Sequence, residues 1–224
     1  MAAEKMPSTD DDTPISRRCI LAKLGSRERM KALAETGTVY MQKLSVYVKL
    51  ENPAVGDPNE GLLARYTPEN PTLRIVARVG DQELPLPGAS LKINSTALDH
   101  GVYCMSAIET TSGDLRGSLL AFLADRRLRD FGDTLVLFKD TPEFIRRLEA
   151  AAAAVGHELD HQAVTYVAST HCGDMGPFRK LDSYSHQQEW RFVTSKAIDD
   201  TLVLQLGSLL DIAAWVDLDG VPTG

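Results

Sequence analysis

Apolar positions along the chain change period several times, and those changes mark its elements. Between Ser16 and Thr36, Ile20, Leu21, Leu24, Met30 and Leu33 recur at helical spacing, with Gly25 as a break and Gly37 as a stop. Thr38 to Leu50 alternates and is rich in valine and tyrosine, so it reads as strand. A dense turn cluster, ENPAVGDPNEG, runs from Glu51 to Gly61. Strands are expected at 73–79, 102–107 and 134–138; the last, TLVLF, lacks alternation and reads as central in its sheet. Residues 116–129 read as helix. The clearest helix starts at Thr141, taken as the N-cap, with Pro142 at the first helical position. Phe144, Ile145, Leu148, Ala152 and Val155 form its buried stripe, and Gly156 ends it. Strands at 164–168, 189–193 and 202–206 follow, and Gly207 and Ser208 open a short helix, LLDIAAWV.

This succession predicts an α+β fold: one compact domain over residues 15–224, with a mixed, mostly antiparallel sheet and flanking helices. Residues 1–14 are polar, acidic and proline-bearing, and read as a disordered tail.

Charge and cysteine usage narrow the chemistry. The net charge of -7 argues against a general nucleic-acid surface, which needs an excess of lysine and arginine. Cys19, Cys104 and Cys172 are scattered and form no C-x-x-C pair, so a reducing compartment fits best. No apolar run approaches the roughly 18 residues that span a bilayer, and no secretory leader is visible. A cytoplasmic protein without a membrane partner is expected.

Two segments carry candidate chemistry. His157 to His161 reads HELDH, matching H-E-x-x-H, in which two histidines on one helical face bind zinc. The fragment resembles the H-E-x-D-H of peptide deformylases, but their other two motifs do not occur here. Gly156 also ends the preceding helix, leaving no secure helix to align His157 and His161. A metal is therefore not expected, and a zinc hydrolase is the weaker alternative.

From Gln187 the residues alternate, so Gln187, Glu189 and Arg191 share one strand face and Trp190 and Phe192 the core face. Lys180 and Tyr184 are near in sequence. The Gln-x-Glu pair resembles the motif of ADP-ribosyltransferases. That resemblance implies Glu189 as the carboxylate stabilising the oxocarbenium-like state of NAD, and Gln187 as the residue orienting the acceptor. It also implies Arg65 in LLARY and Ser106 in VYCMSA as nucleotide-pocket residues, with Lys180, Arg191 and Tyr184 as further binding candidates. A row of surface charges paired among themselves, on a strand that recognises a protein or nucleotide without catalysis, is the alternative.

An ordered series of landmarks covers about residues 38–213. They are Asp57, Pro58, Glu60 and Gly61; Cys104 and Ser106; Phe131 and Gly132; Phe144, Arg147 and Leu148; Val164 and Tyr166; Phe178, Lys180, Gln187, Glu189 and Arg191; and Leu206 to Ile212. The series resembles an uncharacterised bacterial family, domain of unknown function 2971, and its relatives. That resemblance implies a cytoplasmic protein of a group partly linked to phage–host conflict, and a recurring motif at Lys180, Gln187, Glu189 and Arg191.

Overall fold

A computed structural model describes residues 19–49, 59, 61–70, 72, 74–110 and 114–218. The expected tail at 1–14, and Asp57, Pro58 and Glu60 of the turn cluster, lie outside the described residues.

The segment read as one helix from Ser16 divides at Gly25. Cys19–Gly25 is a strand (β1) and Arg27–Thr36 a helix (α1). CILAKLG is apolar at nearly every position, which suits a strand covered on both faces, and such a run also satisfies helical spacing. α1 ends at Gly37, whose φ of 65° and close approach to the Gly207 carbonyl leave no room for a Cβ. The strand expected at 38–50 stops early: β2 is Thr38–Lys43, and Leu44–Val48 turns into a helix (α2) that buries Leu44.

The strands β3 (Leu62–Tyr66), β4 (Val76–Val79), β5 (Gln82–Pro85) and β6 (Leu91–Asn94) stand apart from the main sheet. β4 pairs with β5, and β6 with β3. β7 (His100–Glu109) is the 10-residue trunk of the fold. The expected helix at 116–129 is α3 (Leu115–Leu123) plus a 3-10 segment, Arg126–Phe131, with Asp125 accepting from the Arg127 N–H between them. β8 (Thr134–Phe138) and α4 (Thr141–Ala154) lie where expected. The cap of α4, however, is Asp140, which accepts from the Glu143 N–H; Thr141 Oγ1 instead accepts from the Leu21 N–H at 3.2 Å.

The remaining strands are β9 (Leu159–Ala163), β10 (Thr165–Val167), β11 (Gly173–Asp174), β12 (Arg179–Leu181), β13 (Glu189–Ala197), β14 (Leu202–Gln205) and β15 (Ala213–Asp217). β15 replaces the expected helix LLDIAAWV: its backbone pairs along β8, so a sheet edge decides the conformation rather than local spacing.

The fold is α+β, with one main sheet ordered β14-β2-β7-β1-β8-β15; β13 lies on the other edge of β7, followed by β9. Every strand pair is antiparallel except β10 with β12. α1 and α4 cover one face, burying Met30, Leu33, Phe144 and Leu148 against Leu21, Tyr103, Val136, Phe138 and Phe192. α3 and the 3-10 segment cover part of the other, packing Phe122, Leu123 and Leu128 against Ala22, Leu24, Ile108 and Leu135.

One irregularity positions the candidate site. β1 pairs with β7 as far as Ala22 and Ser106, then continues along β8. β2 meets the same edge of β7 at Val102 and Gly101. Among the described residues, Tyr103 to Met105 therefore have no strand opposite them on that edge, and the sheet forks there.

Candidate functional site

The fork opens into a cavity of about 710 Å³. Lys23, Leu24 and Gly25 of β1 line one side and Gln42, Val46 and Tyr47 the other. Cys104, Met105 and Ser106 form the floor, with Lys180, Gln187 and Glu189 beside them. Met30, Leu128 and Phe131 supply an apolar wall, while the exposed Arg29 and Asp130 stand at the rim. The volume is that of a small-molecule site.

Strand alternation brings the polar groups together. Ser106 pairs directly with Glu189 across the β7–β13 ladder, and Cys104 pairs with Arg191, so all four side chains share one sheet face. That face is buried: Glu189 is 4% exposed, Arg191 1% and Lys180 3%. The row expected on one strand face is thus in the interior rather than on the surface.

Glu189 is held from two sides. Arg191 Nε donates to Oε1 at 2.7 Å, and the Lys180 ammonium lies 2.7 Å from Oε2. The Glu189 N–H donates to the Tyr166 hydroxyl at 2.8 Å. Burial by itself raises the pKa of Glu189; the Arg191 and Lys180 charges and the hydrogen bond from Arg191 outweigh it and hold the carboxyl well below the usual range. Burial pushes the Cys104 thiol the other way, up to about 12, with the Glu189 charge adding to the effect. Burial likewise raises Tyr166 to about 12.

Gln187 reaches the same cluster by a different route from the one expected. It ends a 3-10 segment, Asp182–Gln187, and the strand begins only at Glu189, because Gln188 takes a left-handed φ of 43°. The Gln187 Oε1 accepts from Lys180 at 2.9 Å. Tyr184, on the same segment, stacks its ring 5.4 Å from the Lys180 ammonium. Arg191 also donates to the Pro177 carbonyl, which ties β13 to the loop ahead of β12.

Arg65 is not brought to this cluster. It lies on β3, opposite Lys92 and Gly173 in the small side sheet, and does not line the cavity. Trp190 and Phe192 belong to the opposite face, where Phe192 is fully buried and Trp190 packs against the core. His157 precedes β9 and His161 lies within it, so the two do not share a helical turn. The His161 ring packs on Trp190 and Phe192, with Nε2 3.3 Å from Glu149. Among the described residues no group of three histidine, cysteine or acidic side chains is arranged to hold a metal ion.

Lys23, not among the residues expected from the sequence, also lines the cavity. It stands in CILAKLG, a single lysine inside an apolar strand, and that contrast was the available signal. Its ammonium donates to the Cys104 carbonyl, one of the groups the fork leaves without a strand partner, and lies 4.8 Å from the centre of the Tyr103 ring. Burial lowers its pKa; the nearby Glu189 opposes that shift and Arg29 adds to it.

No protein-family model matches the chain, and neither a curated protein nor a solved structure is similar to it. Among the described residues no helix is long and apolar enough to cross a membrane.

Proposed function

We propose that the fork cavity binds NAD and that the protein transfers ADP-ribose from it, with Glu189 as the catalytic carboxylate. The observation that carries this reading is the pairing of Glu189 with Ser106 at a cavity that Lys23 and Lys180 also line. As the bond from the ribose C1′ to nicotinamide breaks, positive charge develops on the ribose. A fixed, ionised carboxylate on a rigid strand stabilises that charge without reorganising. Arg191 and Lys180 keep Glu189 ionised in a site where burial would otherwise protonate it. In this reading Ser106, which lines the cavity, orients a ribose hydroxyl towards it. Gln187 also lines the cavity, and in this reading it orients the acceptor.

One observation favours a second reading, nucleotide recognition without turnover. Lys180 and Arg191 together already offset the charge of Glu189, which weakens the field it offers a developing cation.

The test is a thermal-shift titration with NAD and ADP, followed by an assay of nicotinamide release. Binding with turnover that disappears in Glu189→Gln, while NAD still binds, supports the enzyme. Binding without turnover supports the second reading. Turnover retained in Glu189→Gln overturns the role of Glu189, and no shift with either ligand overturns both readings.

A further inference from the structure

We infer that His186 is a pH-sensitive latch on the fork cavity: while neutral it lets two 3-10 segments close the cavity wall, and its protonation loosens them. This deepens the reading of the cavity as a nucleotide site by naming its control, and rests on that reading only for what the cavity holds.

The geometry begins with the seam between the two segments. Asp182–Gln187 packs against Arg126–Phe131, and also against β10 and β12. Both segments line the cavity. Arg126–Phe131 contributes Leu128, Asp130 and Phe131, while Gln187, which follows His186 directly, comes from the other side. A change at His186 therefore reaches Gln187 and, across the seam, the apolar wall.

The bonding of the imidazole fixes its neutral form. Nδ1 lies 3.2 Å from the Ser183 carbonyl, which can only accept, so Nδ1 carries the proton. Nε2 then presents a lone pair. The residue is half-buried, but its Nε2 is shielded from solvent and, among the described residues, has no hydrogen-bond partner. Protonation would place a charged N–H at that position with no acceptor, which costs far more than an unused lone pair.

The surrounding charges also weigh on that proton. Arg127 and Asp125 act on His186 from the Arg126–Phe131 side, and Lys180 acts from β12. Arg127 Nε already donates to the Asp125 carboxylate at 3.0 Å, so the one acidic group of this set is engaged. Arg179, also on β12, donates to the Asp174 carbonyl. Tyr166, the titratable residue of β10, is pushed up to about 12 and stays neutral. Burial first, and then the Arg127 charge, lower the pKa of His186; Asp125 and the Ser183 carbonyl oppose them without prevailing.

The closed seam is therefore fully stable above the unfolded imidazole value of about 6.5, and loosens as pH falls through the folded value. Asp125, held down to about 2 by its hydrogen bonds from Arg127, and Glu189, held well below the usual range, stay ionised when the imidazole first takes its proton.

The experiment uses the whole chain without ligand. Histidine NMR of the wild type gives the midpoint of His186, which should lie below about 6.5. Hydrogen exchange is then read by mass spectrometry at pH 7 and one pH unit below that midpoint, corrected for the intrinsic change in rate. Peptides covering 126–131 and 182–188 should lose protection, about tenfold for each pH unit that separates the midpoint from 6.5, while α4 keeps its own. His186→Asn, which retains a donor for the Ser183 carbonyl and takes no proton, should show no such loss. A midpoint at or above 6.5, protection unchanged in the wild type, or an equal loss in a folded His186→Asn overturns the inference. The NMR titration does not depend on the variant folding. Neither readout contains a nucleotide, so a protein that binds no NAD or ADP but loses protection in this way supports the latch and overturns the NAD reading. NAD turnover with unchanged protection does the reverse.

Discussion

The Lys180 ammonium lies 2.7 Å from the Glu189 carboxylate, and both side chains are 4% exposed. This contact joins β12, outside the main sheet, to β13 within it. It therefore ties the Lys180 side of the cavity to the main sheet.

Removing one member of such a pair strands the other in the interior. Lys180→Met should destabilise the fold by about 3–5 kcal/mol, read by urea denaturation. The double variant Lys180→Met/Glu189→Gln should recover part of that loss, because no buried carboxylate is then left short of a partner. A single variant as stable as wild type would show that the contact does not hold β12 to the sheet.

Acid should release the same cluster. The folded pKa of Glu189 lies below its unfolded value of about 4.3, so its contribution is complete above that pH and is lost as pH falls through the folded value. The stability gap between wild type and Glu189→Gln should be largest at neutral pH and should shrink progressively below about pH 4. A gap independent of pH would mean that the ionised carboxylate contributes nothing.

Alkali acts through Cys104. Its thiol is pushed up to about 12 in the fold, above the ordinary value of roughly 8.5. The unfolded chain loses this proton first, so stability is complete below about pH 8.5 and falls as pH rises beyond it. Iodoacetamide at mildly alkaline pH should leave Cys104 unmodified in the native protein and alkylate it after denaturation, by peptide mass spectrometry. Alkylation of Cys104 in the native protein at that pH would contradict the raised pKa of its thiol.

Gly132 couples the fold to the cavity rim. Its φ is 146°, and a Cβ there would lie 2.2 Å from the carbonyl carbon and oxygen of Gly25. Gly25 and Ser26 line the cavity, and Phe131 lines its apolar wall. Gly132→Ala should lower stability by about 1–3 kcal/mol and weaken ligand binding at the fork, measured by thermal shift with and without ADP. A variant matching wild type in both would show that this approach does not shape the cavity.

Some elements were legible because local chemistry decides them. The stripe of Phe144, Ile145, Leu148 and Ala152 predicts α4, and the unbroken TLVLF predicts the inner strand β8. Glu189 and Arg191 were legible as a same-face pair from alternation alone, and Trp190 and Phe192 as the core face. Other readings failed where pairing overrides local spacing. Cys19–Gly25 and Ala213–Asp217 both carry helix-compatible apolar spacing, yet each is a strand, because β7 and β8 offer backbone groups to satisfy.

By itself, then, the chain determined the α+β class, the long helix, the inner strand and the polar row at Glu189 and Arg191, since these follow from periodicity over a few residues. The tertiary structure alone decided that the row is buried, that Lys180 and Gln187 close over it, that Arg65 lies on the side sheet, and that Lys23 enters the site. The last of these follows from the departure of β1 from β7 after Ala22. That fork arises from the pairing of segments more than 80 residues apart, such as Ala22 with Ser106, and no local pattern encodes such a pairing.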